Sequence, residues 1–310
     1  MTSPSDAIDE PVVTPQDAAP TAFSWRRLFY WSVRRELWEN RSVYIAPLAM
    51  VAFALVGVML STIALPHFLR AIAEGTAKRP GDLMGPYSFV AFSVMAVQFF
   101  VAVFYSLGAL HGERRDRSIL FWKSLPVSDL ITVLSKAAIP IVVVPVVTFA
   151  IIFAAQLFFA LWSTLVTLVN GISPTVLWSH LDLSVMWVVL PYGLIVNALW
   201  QAPVFAWFIL VSCWARRTPI LWAVGPFVAP ALVEAGAFRT HHIGQFLGER
   251  IFGGFAEAYS IKGDGGKAIH YITQLNPART FSLAELWIGL AAAAAMLAAA
   301  VWLRRRREPI

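Results

Sequence analysis

Six apolar runs, each long enough to cross a bilayer, dominate this 310-residue chain and leave it few folds to choose from: approximately 43–65, 87–110, 137–168, 184–215, 219–237 and 283–303. About 20 residues of helix cover a hydrocarbon core of roughly 30 Å. Backbone N–H and C=O groups in lipid need internal partners, and the chain lacks the alternating polarity of barrel strands. The runs therefore predict an all-α polytopic membrane protein of six transmembrane helices. The third and fourth runs exceed one crossing, which predicts tilt, a kink or projection past the bilayer rather than two crossings apiece. Pro140, Pro145, Pro191 and Pro203 are candidate kink sites. The fifth run carries Pro219, Pro226 and Pro230 and is the least regular, a candidate broken helix.

Composition agrees with lipid as a second solvent. The chain is 58% hydrophobic and 14% charged, and its 13 Trp and 22 Phe supply more apolar surface than one compact core could hide. The single cysteine, Cys213, excludes an intrachain disulfide and any multi-cysteine metal site, and it reads as a small packing residue. A net charge of +6 would, in a soluble protein, raise the question of nucleic acid. Here the basic residues act first on topology, and no nucleic-acid partner is expected. Six crossings put both termini on one side, and that side receives sixteen of the 24 Lys and Arg, against eight spread over long segments opposite. The positive-inside rule places both termini in the cytoplasm.

Residues 1–22 hold Asp6, Asp9, Glu10 and Asp17 and no Lys or Arg, and read as a disordered acidic tail without a secretory signal. Residues 23–41 mix Trp25, Leu28, Phe29, Leu37 and Trp38 with Arg26, Arg27, Arg34, Arg35 and Arg41. This suits an interfacial amphipathic helix with snorkelling arginines, or a basic stretch that only enforces orientation. Residues 42–307 form the transmembrane domain.

Several chemistries are missing. The closest approach to a Walker A loop, Lys262 to Ala268, lacks the first glycine at the required distance and the Ser or Thr after its lysine. His241 and His242 are adjacent, so they point to different faces and make poor paired ligands. No acidic cluster suits Mg²⁺ at a membrane surface. The chain is expected to be no enzyme and to hold no cofactor of its own.

The 111–136 loop is the informative segment. It joins Glu113, Arg114, Arg115, Asp116 and Arg117 to Ile119, Leu120, Phe121 and Trp122, followed by Leu125-Pro126 and by Ser128-Asp129, a candidate helix N-cap. Phe121 and Trp122 at an aqueous surface must meet either another protein or lipid headgroups. The run GERRDRSILFWKSLPVSD, after the second of six spans and with a basic amphipathic segment before the first, resembles bacterial ABC-2-type ABC transporter permeases. That resemblance implies a permease subunit in the bacterial cytoplasmic (inner) membrane, paired with a second, identical permease chain and with two copies of a separate ATPase subunit that binds ATP and Mg. It also implies that Glu113, Arg114, Asp116, Arg117, Ser118, Phe121, Trp122 and Lys123 lie in or beside a short coupling helix docked on the ATPase. The outer segment 238–280 would supply short outer helices or re-entrant elements. The alternative function is a membrane anchor, assembly or signalling subunit that recruits a cytoplasmic partner through the same loop and moves nothing.

Within the spans the polar residues are Gln98, Gln156, Asn197, Gln201 and Glu234, with Asn197 and Gln201 at i and i+4 on one face. They are candidates for lining a translocation path, or for ordinary interhelical hydrogen bonds. No Lys or Arg falls inside the spans, which argues against a deeply bound anion, while aromatic-rich spans would suit an amphiphilic cargo. Arg304 to Arg307 read as a stop-transfer anchor after an alanine-rich last span whose smooth face suits close packing. Reporter fusions after residues 116 and 216 should report cytoplasm, and fusions near 78, 176 and 262 the far side. A far-side signal at 116 would reverse the orientation and remove the loop from any cytoplasmic partner.

Overall fold

A computed structural model describes residues 24–76, 83–116, 127–181, 183–258 and 275–306, apart from the side chains at 184–186 and 255–258. The acidic tail, residues 117–126 of the loop and residues 259–274 lie outside them. The described residues are helical and contain no strand, and six helices are long and apolar enough to span a membrane. The protein is an all-helical, multi-pass membrane protein.

In chain order, α1 (Trp25–Glu39) precedes the first span, α2 (Ser42–Ser61). A short helix α3 (Leu65–Ala73) then leads to the second span, α4 (Gly85–Gly108), which is extended by α5 (His111–Arg115). The third span begins as α6 (Asp129–Ala138), passes through a π-helical turn over Ile139–Val143 and continues as α7 (Val144–Val169). After α8 (Pro174–Trp178) comes the long fourth span, α9 (Leu183–Trp214). The fifth, α10 (Pro219–Val233), ends in a second π-helical turn over Glu234–Phe238. Then follow α11 (His242–Ala258), α12 (Pro277–Ser282) and the last span, α13 (Ala284–Arg306).

Local chemistry accounts for these limits. Ser128, in extended backbone, caps α6 by accepting from the Ile131 N–H at 3.3 Å, so the third span starts well before its apolar run and projects at one end. Pro140 has no N–H to give, and its ring would crowd the preceding turn. Widening to a π turn there absorbs the defect without ending the helix. Pro191 and Pro203, by contrast, sit within one unbroken α9. The fifth span is continuous rather than broken. Its ends are marked by Thr218 and Arg239 in the left-handed region, at φ 45° and 54°, where the chain turns sharply.

The core follows small and branched side chains. Val51, Ala54 and Val58 of α2 pack with Tyr87, Val90 and Val94 of α4 and Ile152, Ala155 and Phe159 of α7. The last span lies along α9 through alanines: Ala202, Ala206 and Ala293 are buried together, and further along Cys213 reaches the Ala300 carbonyl at 3.7 Å. The alanine face thus acts as the sequence suggests, and Cys213 is buried as a packing residue. The fifth span is the outlier, with Ala223 its one buried residue. In α1 the aromatics Trp25, Tyr30, Trp31 and Trp38 are exposed, whereas Ser32 and Glu36, one turn apart, are buried.

The α9–α13 seam sets a test of this packing. Ala206 is fully buried, so Ala206→Leu overpacks it and should lower stability by about 1–3 kcal/mol. Leu221→Ala on exposed α10 should change it by less than about 0.5 kcal/mol. Thermal unfolding of the purified protein in detergent reads both.

Candidate functional site

A charged residue taken out of water needs a partner at hydrogen-bond distance, or it costs several kcal/mol. At one end of the bundle, called here the charged end, six such residues meet this need among themselves. Glu36 on α1 is 1% exposed and lies 2.9 Å from the ammonium of Lys136 on α6, itself 3% exposed. Lys136 also reaches Glu113 of α5 at 3.1 Å. Arg304, near the end of α13, binds Glu113 at 2.8 Å through Nη1 and Asp129 of α6 at 2.9 Å through Nε. Arg35 closes the set on Glu36 at 2.8 Å, and the Tyr105 hydroxyl of α4 donates to the other Glu36 oxygen at 2.9 Å. Three carboxylates stand against three cations, with the exposed Glu39 reaching Arg35 at 3.5 Å on the rim, and the cluster joins the first helix to the second, third and last spans.

Burial alone would raise the Glu36 carboxyl. The Lys136 ammonium, and then Arg35, outweigh that and hold it below its ordinary value. Arg114, also buried, does different work. Its Nη1 donates to the carbonyls of Cys213 at 2.7 Å and Ala215 at 3.4 Å, and His111 approaches Ala215 at 3.2 Å. These carbonyls belong to the end of α9, where the helix has run out of its own donors and carries the negative end of its dipole.

The expected coupling residues are therefore divided. Glu113 and Arg114 are held inside the bundle, Glu113 by Lys136 and Arg304 and Arg114 by the carbonyls that end α9. Asp116 is exposed beside Arg115, at 3.0 Å. Arg117, Ser118, Phe121, Trp122 and Lys123 lie outside the described residues. Arg304, the first of the basic residues that end the last span, is 3% exposed and doubly paired.

The polar residues of the spans make separate local contacts. Gln98 donates to the Val43 carbonyl at 3.1 Å, tying α4 to the start of α2, and Gln156 is buried in α7. Glu234 caps a neighbouring helix. Its carboxylate accepts from Thr240 at 2.9 Å and from the backbone N–H groups of His242 and Ile243 at 2.8 and 2.9 Å, at the start of α11. Only Asn197 and Gln201 act together. They share the α9 face that meets α11, where Gln201 donates to the Ile251 carbonyl at 2.7 Å and the Gly254 backbone approaches Asn197 closely enough that a Cβ would lie 2.9 Å from Oδ1. Between them Trp200 donates to the Glu249 carbonyl at 2.9 Å. Segment α11 thus leans on the middle of the fourth span. That position brings in Arg250, one of the eight basic residues that the topology assigns to the side opposite the termini: it lies over the Trp200 ring at 5.0 Å.

No group of three or more His, Cys, Asp or Glu able to hold a metal occurs among the described residues. A cavity of about 200 Å³ at the opposite end, lined by Thr62, Phe68, Tyr87, Phe159, Ser163 and Leu177 among others, contains none of the expected pathway residues. Set against family models, curated proteins and solved structures, the chain matches none of them.

Removing Lys136 alone would leave Glu36 to Arg35 and Glu113 to Arg304, a buried set one cation short, so Lys136→Met should cost about 3–5 kcal/mol. The double variant Glu36→Gln/Lys136→Met should be less damaged than the sum of its singles, which thermal unfolding of all three would reveal. The pH dependence has a definite sign. Because the folded Glu36 carboxyl is held below its ordinary value of 4.5, its contribution is complete above about pH 4.5 and is lost as pH falls through the lower folded value. Glu36→Gln should flatten stability over that acidic range and leave neutral pH as the region of greatest loss.

Proposed function

We propose that the chain is the membrane permease subunit of an ATP-driven ABC-2-type exporter. Two permease chains would form the pathway, and two separate ATPase subunits would bind and hydrolyse ATP. The GERRDRSILFWKSLPVSD stretch supports the family reading, and the charge cluster carries the mechanical one. Residues on both sides of 117–126 are fixed to other helices: Glu113 and Arg114 before it to α13, α6 and α9, and Asp129 and Lys136 after it to α13 and α1. A partner that pulled on this segment would move the first helix and the second, third, fourth and last spans together rather than bend one loop. Packed helices with paired charges shift as rigid bodies between discrete arrangements, and this is what transmission of nucleotide-driven closure requires.

On this reading the loop and both termini face the cytoplasm, α1 rests in the interface with its aromatics toward lipid, and Phe121 and Trp122 enter a groove of the ATPase. Phe121→Ala/Trp122→Ala should weaken association with the ATPase by about thirtyfold per anchor, since such anchors contribute about 2 kcal/mol or more each. ATPase stimulation and export should fall together while membrane abundance is unchanged. Glu113→Gln should instead leave binding nearly intact and reduce export per ATP, because it loosens the clamp behind the loop. Normal ATPase affinity and normal transport in the aromatic double variant would overturn the proposal. Lost partner binding in a system that never transports would favour the anchoring or signalling role.

A further inference from the structure

Arg250 is a cation that the fold brings against the middle of a spanning helix with no carboxylate in ion-pair contact, the Glu285 carboxylate acting on it only from farther away. Trp200, whose ring it covers, is at the centre of the span Trp187–Trp214. One guanidinium nitrogen, Nη1, donates to the Glu285 backbone carbonyl at 3.4 Å. The other, Nη2, is buried and has no hydrogen-bond partner. No described carboxylate comes within ion-pair distance of either. Arg250 is partly buried, and a guanidinium offers five donors of which this one uses a single bond.

The placement is built rather than incidental. The Trp200 face supports one side of the guanidinium, and Trp200 is itself fixed by its bond to the Glu249 carbonyl. Gly289 of α13 leaves the room on the other side, since a methyl group there would overlap the guanidinium. One turn away on α9, the buried Asn197 Oδ1 also lacks a partner. Exposed apolar side chains stand beside this point, Phe246 one turn earlier on α11 at 62% exposed and Trp287 and Ile288 beside Gly289 at 58% and 68%, together with the exposed carboxylates of Glu249 and Glu285.

We infer that Arg250, seated between Trp200 and Gly289, binds the anionic oxygens of an amphiphile, a phosphate or carboxylate headgroup whose hydrocarbon chain lies along the exposed aromatic and aliphatic surface of α11 and α13. A planar guanidinium suits such oxygens through paired, charge-assisted hydrogen bonds. The ligand is either a resident phospholipid or a mobile single-chain cargo. As a cargo site it rests on the exporter reading; as a binding site it does not.

The test uses the full chain in phosphatidylcholine nanodiscs, without any ATPase. It is titrated with spin-labelled phosphatidylglycerol, with spin-labelled phosphatidylcholine of the same chains, and with dodecyl phosphate. The native protein should immobilise one of the two anionic probes in preference to phosphatidylcholine. Arg250→Gln should weaken that binding by on the order of tenfold or more, and Arg250→Lys by less. Gly289→Ala should reproduce the loss with Arg250 still present, because it displaces the guanidinium from its seat; unchanged helix content and thermal unfolding would show that both variants fold. Preference for phosphatidylglycerol that dodecyl phosphate cannot displace would mark a resident lipid, and tight, competing dodecyl phosphate a cargo site. Either supports the inference. Absence of any preference for an anion, or native affinity in Arg250→Gln, would overturn it. A failure of ATPase coupling in the aromatic loop variant would leave this result untouched.

Discussion

The Lys136 ammonium holds two carboxylates from different helices within 3.1 Å, and most of the charged end is arranged around that contact. Charges removed from water are tolerated only as closed, hydrogen-bonded sets, so their geometry is stringent where apolar packing is forgiving. Each member comes from a different place in the chain: Glu36 before the first span, Glu113 after the second, Asp129 and Lys136 at the start of the third, Arg304 at the close of the last. The set fixes the relative positions of segments up to 268 residues apart, counted from Glu36 to Arg304. It also explains why α1 turns Ser32 and Glu36 inward and leaves its tryptophans outside. The carboxylate must reach Lys136, and the aromatic face has an apolar solvent available.

Elsewhere the helices meet through small side chains and backbone. Lipid gives little hydrophobic drive between helices, so close approach through alanine and glycine has to supply the contact. The Ala202, Ala206 and Ala293 seam does this for the last span, and Gly254 and Gly289 do it where α11 enters. Polar side chains on α9 serve the same end. Gln201 and Trp200 bind backbone carbonyls of α11 and hold it against the middle of the span.

The function proposed for the chain joins these two regions. A loop clamped on both sides is suited to passing force, and a cation held among apolar helices is suited to meeting an anionic headgroup. If both hold, the same α9 that receives Arg114 at its charged end presents Trp200 to Arg250 at its middle, so motion at the loop and occupancy of the headgroup site would act on one helix.

The six spans were legible because spanning length and apolar content are local properties. The limits 43–65 and 283–303 differ from α2 and α13 by a few residues, and Ser128 was readable as a cap from its own type and place. Pro140 could be named as a defect, though not that a π turn would absorb it. The sites were less legible. Glu113, Arg114 and Arg304 look like surface charges in sequence, as Lys136 does, because nothing local separates a snorkelling cation from a buried one. Glu36 carried a faint signal, one turn from Ser32 and between the partly buried Val33 and Leu37. Arg250 carried none, since its depth depends on α11 folding back against α9. The sequence by itself determined which segments cross the membrane and which residues could not stay there alone. Only the tertiary structure decided which charges meet, because pairing depends on distances between helix ends far apart in the chain.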